Sequence, residues 1–167
     1  MKSDFPSMEA FVCSAWFLRC EVSAIRAVAQ VEASTRGGFN DDGTPTILYE
    51  RHYFHRLTDG RFNGARINST PTGILSAPSW GGHGTFSMQA KKLDAAAKLD
   101  RDAALKSCSW GLFQIMAANH ELAGYPDLQR FVNAMYREVD DHLRAFVMFI
   151  RHDVRLLDAI RDKQWET

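Results

Sequence analysis

Neither sign of charge dominates this chain: 20 lysines and arginines stand against 20 aspartates and glutamates, a formal net charge of zero. A nucleic-acid binder needs a basic excess on some face, because phosphate contacts carry most of its affinity. The balance argues against one. It also means that attraction to any charged surface or polymer must come from shaped contacts rather than bulk charge. Cysteine is scarce and odd in number, at Cys13, Cys20 and Cys108. A disulfide framework normally uses an even count in a smaller secreted domain, so three reduced thiols made in the cytoplasm are the simpler reading. Long apolar runs are missing as well. The stretch from Ala10 to Leu18, following Lys2, has the apolar character of a signal-peptide core. Asp4 and Glu9 lie where positive charge should dominate, however, and Arg19-Cys20-Glu21 is a poor cleavage site. No stretch is long enough to span a membrane.

What remains is an ordinary globular composition. The chain has 167 residues, 46% hydrophobic and 24% charged, the size and balance of one domain with a single core. Met8, Phe11, Val12, Ala15 and Trp16 follow helical spacing and predict a core helix. With a second helix beginning near Ser23 and ended by Gly37 and Gly38, they fill residues 6 to 34. Residues 38 to 86 hold most of the glycines and prolines. They contain the turn signal Asp41-Asp42-Gly43, a strand candidate at Thr46-Ile47-Leu48-Tyr49, and a long irregular loop around Trp80. Loops this long inside a compact domain are usually functional. From residue 87 the pattern is helical again: Leu93, Ala96 and Ala97 mark one helix. Asp127 caps another, with Leu128, Phe131, Val132, Met135 and Tyr136 as its stripe. Val139, Leu143, Phe146, Val147 and Ile150 form a third. The expected fold is mainly α with a small α+β element: a helical single domain over residues 1–167 whose loop- and β-rich insertion forms one wall of a cleft.

One carboxylate stands out. Glu32 follows Ile25, Val28 and Ala29 at i+7, i+4 and i+3, which places it on the apolar stripe of its helix. It also lies in the last turn, where the helix carries partial negative charge. Burial and the helix end both favour the protonated acid, the form a glycosidase general acid needs near neutral pH. The alternative is an ordinary salt bridge from Arg26 or Arg36.

A second segment bears on that choice. Ser107-Cys108-Ser109-Trp110-Gly111-Leu112-Phe113-Gln114-Ile115-Met116 resembles the Ser-x-Gly-x-x-Gln-Ile signature of goose-type lysozymes and lytic transglycosylases. The chain as a whole resembles more closely the N-acetylmuramidase family of phage endolysins. Four segments carry the resemblance in order: Ala27-Val28-Ala29-Gln30-Val31-Glu32-Ala33-Ser34; Ile47-Leu48-Tyr49-Glu50-Arg51-His52-Tyr53-Phe54; Ala103-Ala104-Leu105-Lys106-Ser107 running into the Trp-Gly-Leu-Phe-Gln-Ile-Met block; and Phe146-Val147-Met148-Phe149-Ile150. The resemblance implies a lysozyme-like fold and cleavage of the β-1,4 bond between N-acetylmuramic acid and N-acetylglucosamine in peptidoglycan strands. It implies no metal and no cofactor, and it places the catalytic Glu on Glu32. It also implies a separate holin-type protein for access, with the chain in the host cytoplasm until release to the periplasm and cell wall. Family members continue past the final Trp into a segment containing Tyr-Asn-Gly. This chain stops at Gln164-Trp165-Glu166-Thr167.

The other candidates are less distinctive. Glu50 is the first choice for a second carboxylate that orients water or contacts substrate, with Asp42 and Asp41 behind it. Gln114, an amide beside an apolar run, must find partners that sugar hydroxyls or N-acetyl groups could supply. Tyr49, Tyr53 and Trp80 are candidates to stack on sugar rings, and His52 is a substrate contact. Trp110, Phe113 and Ile115 read as core. The Glu50-x-His52-x-x-His55 spacing matches no common zinc motif. Cys108 between two serines faintly resembles the nucleophile region of cell-wall cysteine peptidases, although its neighbours suit a buried inert thiol. Three readings therefore stay open: a glycosidase using Glu32, a cysteine peptidase or amidase using Cys108, and a non-catalytic peptidoglycan-binding module. The chain is expected to be a monomer without stable membrane insertion.

Overall fold

The computed structural model describes residues 3, 5–35 and 37–162, with backbone alone at 33–35. Among the described residues the helices are α1 (Met8–Leu18), α2 (Val22–Thr35), α3 (Arg51–Leu57), α4 (Phe86–Ala97), α5 (Arg101–Lys106), α6 (Leu128–Arg137), α7 (Val139–Arg151) and α8 (Val154–Arg161). The strands are β1 (Ile47–Tyr49), β2 (Cys108–Trp110) and β3 (Ile115–Met116), in the order β1-β2-β3. The mainly helical fold with a small sheet is the one the sequence predicts. The chain divides into two compact units: Met1–Thr46 with Gly111–Ile115 and Asn119–Thr167, and Ile47–Trp110 with Met116–Ala118.

The first unit is helical. Ser7 caps α1 by accepting the Ala10 N–H, while its own N–H and hydroxyl donate to the Asp140 carboxylate at 2.7 Å each, tying α1 to the start of α7. Arg19, in the left-handed region at φ 55°, ends α1 by donating its N–H to the Ala15 and Trp16 carbonyls. Helix α1 buries Phe11, Ser14, Ala15 and Leu18 against α2 and α7. The core reading of α1 is correct for this face only. Met8, Val12 and Trp16 are exposed, Trp16 by 84%, because α1 is apolar around its whole circumference and its neighbours in this unit cover one side. Asp127 caps α6 as expected, accepting the Arg130 N–H at 2.8 Å. Tyr136 ends that stripe exposed rather than buried. Helix α8 has no counterpart in the sequence reading. It contributes Ile160 and Leu157 to a cluster with Ala24, Ile150, Cys20 and Phe146, and thereby packs on α2 and α7.

The second unit is built on a short antiparallel pair, Ile47 opposite Trp110 and Tyr49 opposite Cys108. Around it pack α3, α4 and α5. The strand at Ile47–Tyr49 matches its prediction. Strand β2 corrects one, since the sequence pattern beyond residue 87 predicts helix. Cys108, Ser109 and Trp110 are all buried, and a run too short for a helical period gives no signal of its own. The unit also extends past the expected boundary near residue 86, through α4 and α5 to Trp110. Trp110, Phe113 and Ile115 are buried, as expected of core residues.

Candidate active site

In the first unit Glu32 stands on α2, one turn beyond Ala29 and two beyond Ile25, both fully buried. Glu32 itself is half-buried. The last turn of α2 carries no basic residue, and Glu32 makes no hydrogen bond or ion pair among the described residues. The expected rival, a salt bridge to Arg26, is absent there; Arg36 lies outside the described residues.

The signature turn belongs to the same unit. Gly111 has φ 71°, and a Cβ there would lie 2.7 Å from Nδ1 of His142. The turn therefore needs glycine for its backbone region and for the close approach of an imidazole. His142, buried on α7, accepts the Leu112 N–H on Nδ1 at 3.1 Å and donates from Nε2 to the Met135 carbonyl at 2.8 Å. These partners assign the neutral ring with its proton on Nε2. Phe39 lies against the same ring, and Phe113 stacks on Phe146 at 4.3 Å. Gln114 is half-buried with φ 49°, and its Nε2 donates to the Gly111 carbonyl at 2.8 Å. Part of its amide is thus spent closing its own turn.

The second unit gathers a denser set of polar groups. Glu50 is the N-cap residue of α3, yet its side chain makes no capping bond. Its Oε2 instead accepts a hydrogen bond from Nε2 of His83 at 3.0 Å. His52 Nδ1 lies 3.2 Å from the same oxygen but is not aligned for a hydrogen bond. Three side chains fix the loop that carries His83. Arg51 donates to the Ser79 and Trp80 carbonyls. Lys92 Nζ donates to the carbonyls of Gly82 and His83 at 2.7 and 2.9 Å. Gln89 bridges from the Tyr49 N–H to the carbonyls of His83 and Thr85. Lys92 is fully buried. Burial holds its ammonium below the usual lysine range, Arg51 adds to that, and Glu50 opposes it. Trp80 is exposed by 74%, its ring edge-on to His83 at 5.3 Å.

The profile of the N-acetylmuramidase family matches residues 21–167. The chain belongs to the N-acetylmuramidase family. It is also similar to a solved structure, the crystal structure of Burkholderia AP3 phage endolysin, at 34% identity and a TM-score of 0.85. The similarity covers 98% of this chain and 61% of that one, so this chain spans less than two thirds of the endolysin chain's length. No curated protein matches it.

For a muramidase-family chain, several candidates take other places than expected. Tyr49 is fully buried and its hydroxyl donates to the Leu75 carbonyl at 2.9 Å. Burial pushes that phenol far above its usual range. It is a core residue, not a stacking platform. Asp42 is exposed and accepts the N–H and hydroxyl of Thr44 at 2.9 and 2.6 Å. These bonds hold its carboxyl below the usual range and close the turn at Asp42–Thr44. Cys108 is fully buried, its Sγ 3.6 Å from the Ala104 carbonyl, and desolvation pushes its thiol far up. A thiol held protonated is no nucleophile, which removes the peptidase reading. Tyr53 is half-buried beneath the Arg56 guanidinium. No group of three or more histidine, cysteine or acidic side chains among the described residues is placed to hold a metal ion. Among those residues no helix is long and apolar enough to cross a membrane. Sequence reasoning missed His83, Lys92, Gln89 and His142. The Gly81-Gly82-His83-Gly84 run was the one available signal for His83, and a buried lysine or histidine inside a helical period leaves none.

Proposed function

We propose that this chain cleaves the β-1,4 bond between N-acetylmuramic acid and N-acetylglucosamine in peptidoglycan, with Glu32 as general acid. Family membership supplies the reaction class, and the observation that carries the assignment is Glu32 itself, a half-buried carboxylate on an apolar stripe without a partner among the described residues. A carboxyl without a partner among the described residues has its oxygens free for substrate, and a general acid there would deliver a proton to the glycosidic oxygen as the bond breaks. Glu50 is the second carboxylate of the reading, the group that orients water or substrate. The exposed indole of Trp80 offers a sugar ring a stacking surface. His52 and Gln114 serve as polar contacts. The neutral charge balance fits a substrate recognised by shape and hydrogen bonds.

The reading treats residues 1–167 as one catalytic domain, since the family match runs through both units. It needs no cofactor or metal. Its biological setting is that of an endolysin: a monomer held in the host cytoplasm until a holin-type protein opens the inner membrane, then acting on the wall. Digestion of purified peptidoglycan by wild type and Glu32→Gln, with mass spectrometry of the released muropeptides, tests the proposal. Reducing ends would mark hydrolysis and anhydro ends a lytic transglycosylase. More than half of wild-type activity in Glu32→Gln would overturn the assignment.

A further inference from the structure

Within the second unit the loop from Ser79 to Thr85 is fastened far more firmly than its own burial requires. Ser79, Trp80, Gly84 and Thr85 are exposed, so the loop contributes little to a core. Yet Arg51, Gln89 and Lys92 all spend donors on its carbonyls. A lysine is rarely fully buried, and desolvating one is costly unless its donors are satisfied. At Gly82, with φ 71°, a Cβ would run into the Arg51 guanidinium. The side chain that this clamp delivers is His83. Its Nε2 meets Oε2 of Glu50, a residue whose side chain has left its own helix cap unmade. The pair is part-buried, and Oε1 of Glu50 has no partner among the described residues.

From this we infer that His83 is a positioning residue for the proposed muramidase reaction. It holds one oxygen of Glu50 so that the other faces water or a sugar hydroxyl in a fixed direction, and Arg51, Gln89 and Lys92 keep His83 in place. A free carboxylate rotates about its last torsion. A hydrogen bond from a ring that is itself anchored through its backbone removes that freedom before substrate arrives, which is how a remote clamp contributes to rate. The inference rests on the muramidase reading and adds to it a role for a side chain outside the reacting atoms.

A double-mutant cycle on soluble, uncrosslinked glycan strands tests it, using the full chain with Glu32→Gln as the dead control. His83→Asn keeps a polar side chain but falls short of Glu50. It should lower kcat by roughly 10- to 100-fold with little change in KM, the scale of a misplaced group. His83→Gln, long enough to donate from its amide, should recover most of that loss. In a Glu50→Gln background His83→Asn should have almost no further effect, since residues acting as one unit are not additive. Urea unfolding of each variant separates lost positioning from lost fold. Multiplying losses, absence of rescue by His83→Gln, or full activity in Glu50→Gln would each overturn the role of His83 while leaving Glu32 as assigned. An inactive wild type would overturn the muramidase reading and this inference together.

Discussion

The two units each present one carboxylate of interest, and they treat it in opposite ways. On α2, Glu32 has fully buried Ile25 and Ala29 along its stripe and no ion pair or hydrogen bond among the described residues. At the head of α3, Glu50 has His83 at 3.0 Å, His52 at 3.2 Å and the field of buried Lys92. The Glu32 carboxyl stands on an apolar stripe without a partner among the described residues, while one oxygen of Glu50 is held by His83. The same chemical group is therefore set in two different surroundings, one apolar and one polar.

The contrast can be broken most sharply at Glu32. Glu32→Gln should cost about 10²–10⁴-fold in rate, the usual loss for a general acid. Its unfolding free energy should stay close to wild type, since glutamine keeps the size of a half-buried side chain that makes no ion pair among the described residues. Turnover of purified peptidoglycan and urea unfolding check the two halves. The first unit is also vulnerable at its signature turn. Gly111→Ala should destabilise by about 2–4 kcal/mol, because the backbone lies at φ 71° and the new Cβ meets the His142 ring. A midpoint within experimental error of wild type would show that His142 moves aside freely.

In the second unit, Lys92→Met keeps the length of the side chain but removes the donor to the Gly82 carbonyl and leaves the His83 carbonyl to Gln89 alone. It should cost about 1–3 kcal/mol in stability, with a fall in kcat following the displaced His83. Stability loss without any kinetic change would make the clamp purely structural. Trp80→Ala should raise KM several-fold and leave stability within about 0.5 kcal/mol, as expected for an exposed ring. Equal binding of glycan strands by both proteins would remove Trp80 from the substrate surface. The smallest effect belongs to Asp42→Asn. The amide keeps an oxygen to accept from Thr44, so activity should match wild type. Because the folded carboxyl of Asp42 is held below its usual range, its contribution is present above that range and lost as pH falls through the lowered value. The acid-side slope of stability should therefore flatten in Asp42→Asn. A large loss of activity would return Asp42 to the site.

How much of this was legible in the sequence varies with the kind of signal. The spacing of Ile25, Val28, Ala29 and Glu32 is a local property of one helix, and it placed the carboxylate before any packing was known. Asp127 as a cap and Ile47–Tyr49 as a strand were readable for the same reason. Tyr49 and Asp42 are less legible, because a partner rather than a period decides what each side chain does. A tyrosine in a strand has the same local pattern whether its hydroxyl finds Leu75 or a sugar, and an aspartate in a turn looks alike whether it bonds Thr44 or substrate. Strand β2 and helix α8 escaped because short elements acquire their form from neighbours far along the chain.

By itself, the sequence determined the helical pattern, the carboxylate on an apolar stripe and the family signature, all encoded in residues within a few positions of one another. Only tertiary structure decided that His83 reaches Glu50 across 33 residues, that Lys92 goes inside to hold the loop, and that His142 fills the space opened by Gly111. Those pairings depend on which elements meet, and hydrogen bonds between distant residues leave no period in the chain that could announce them.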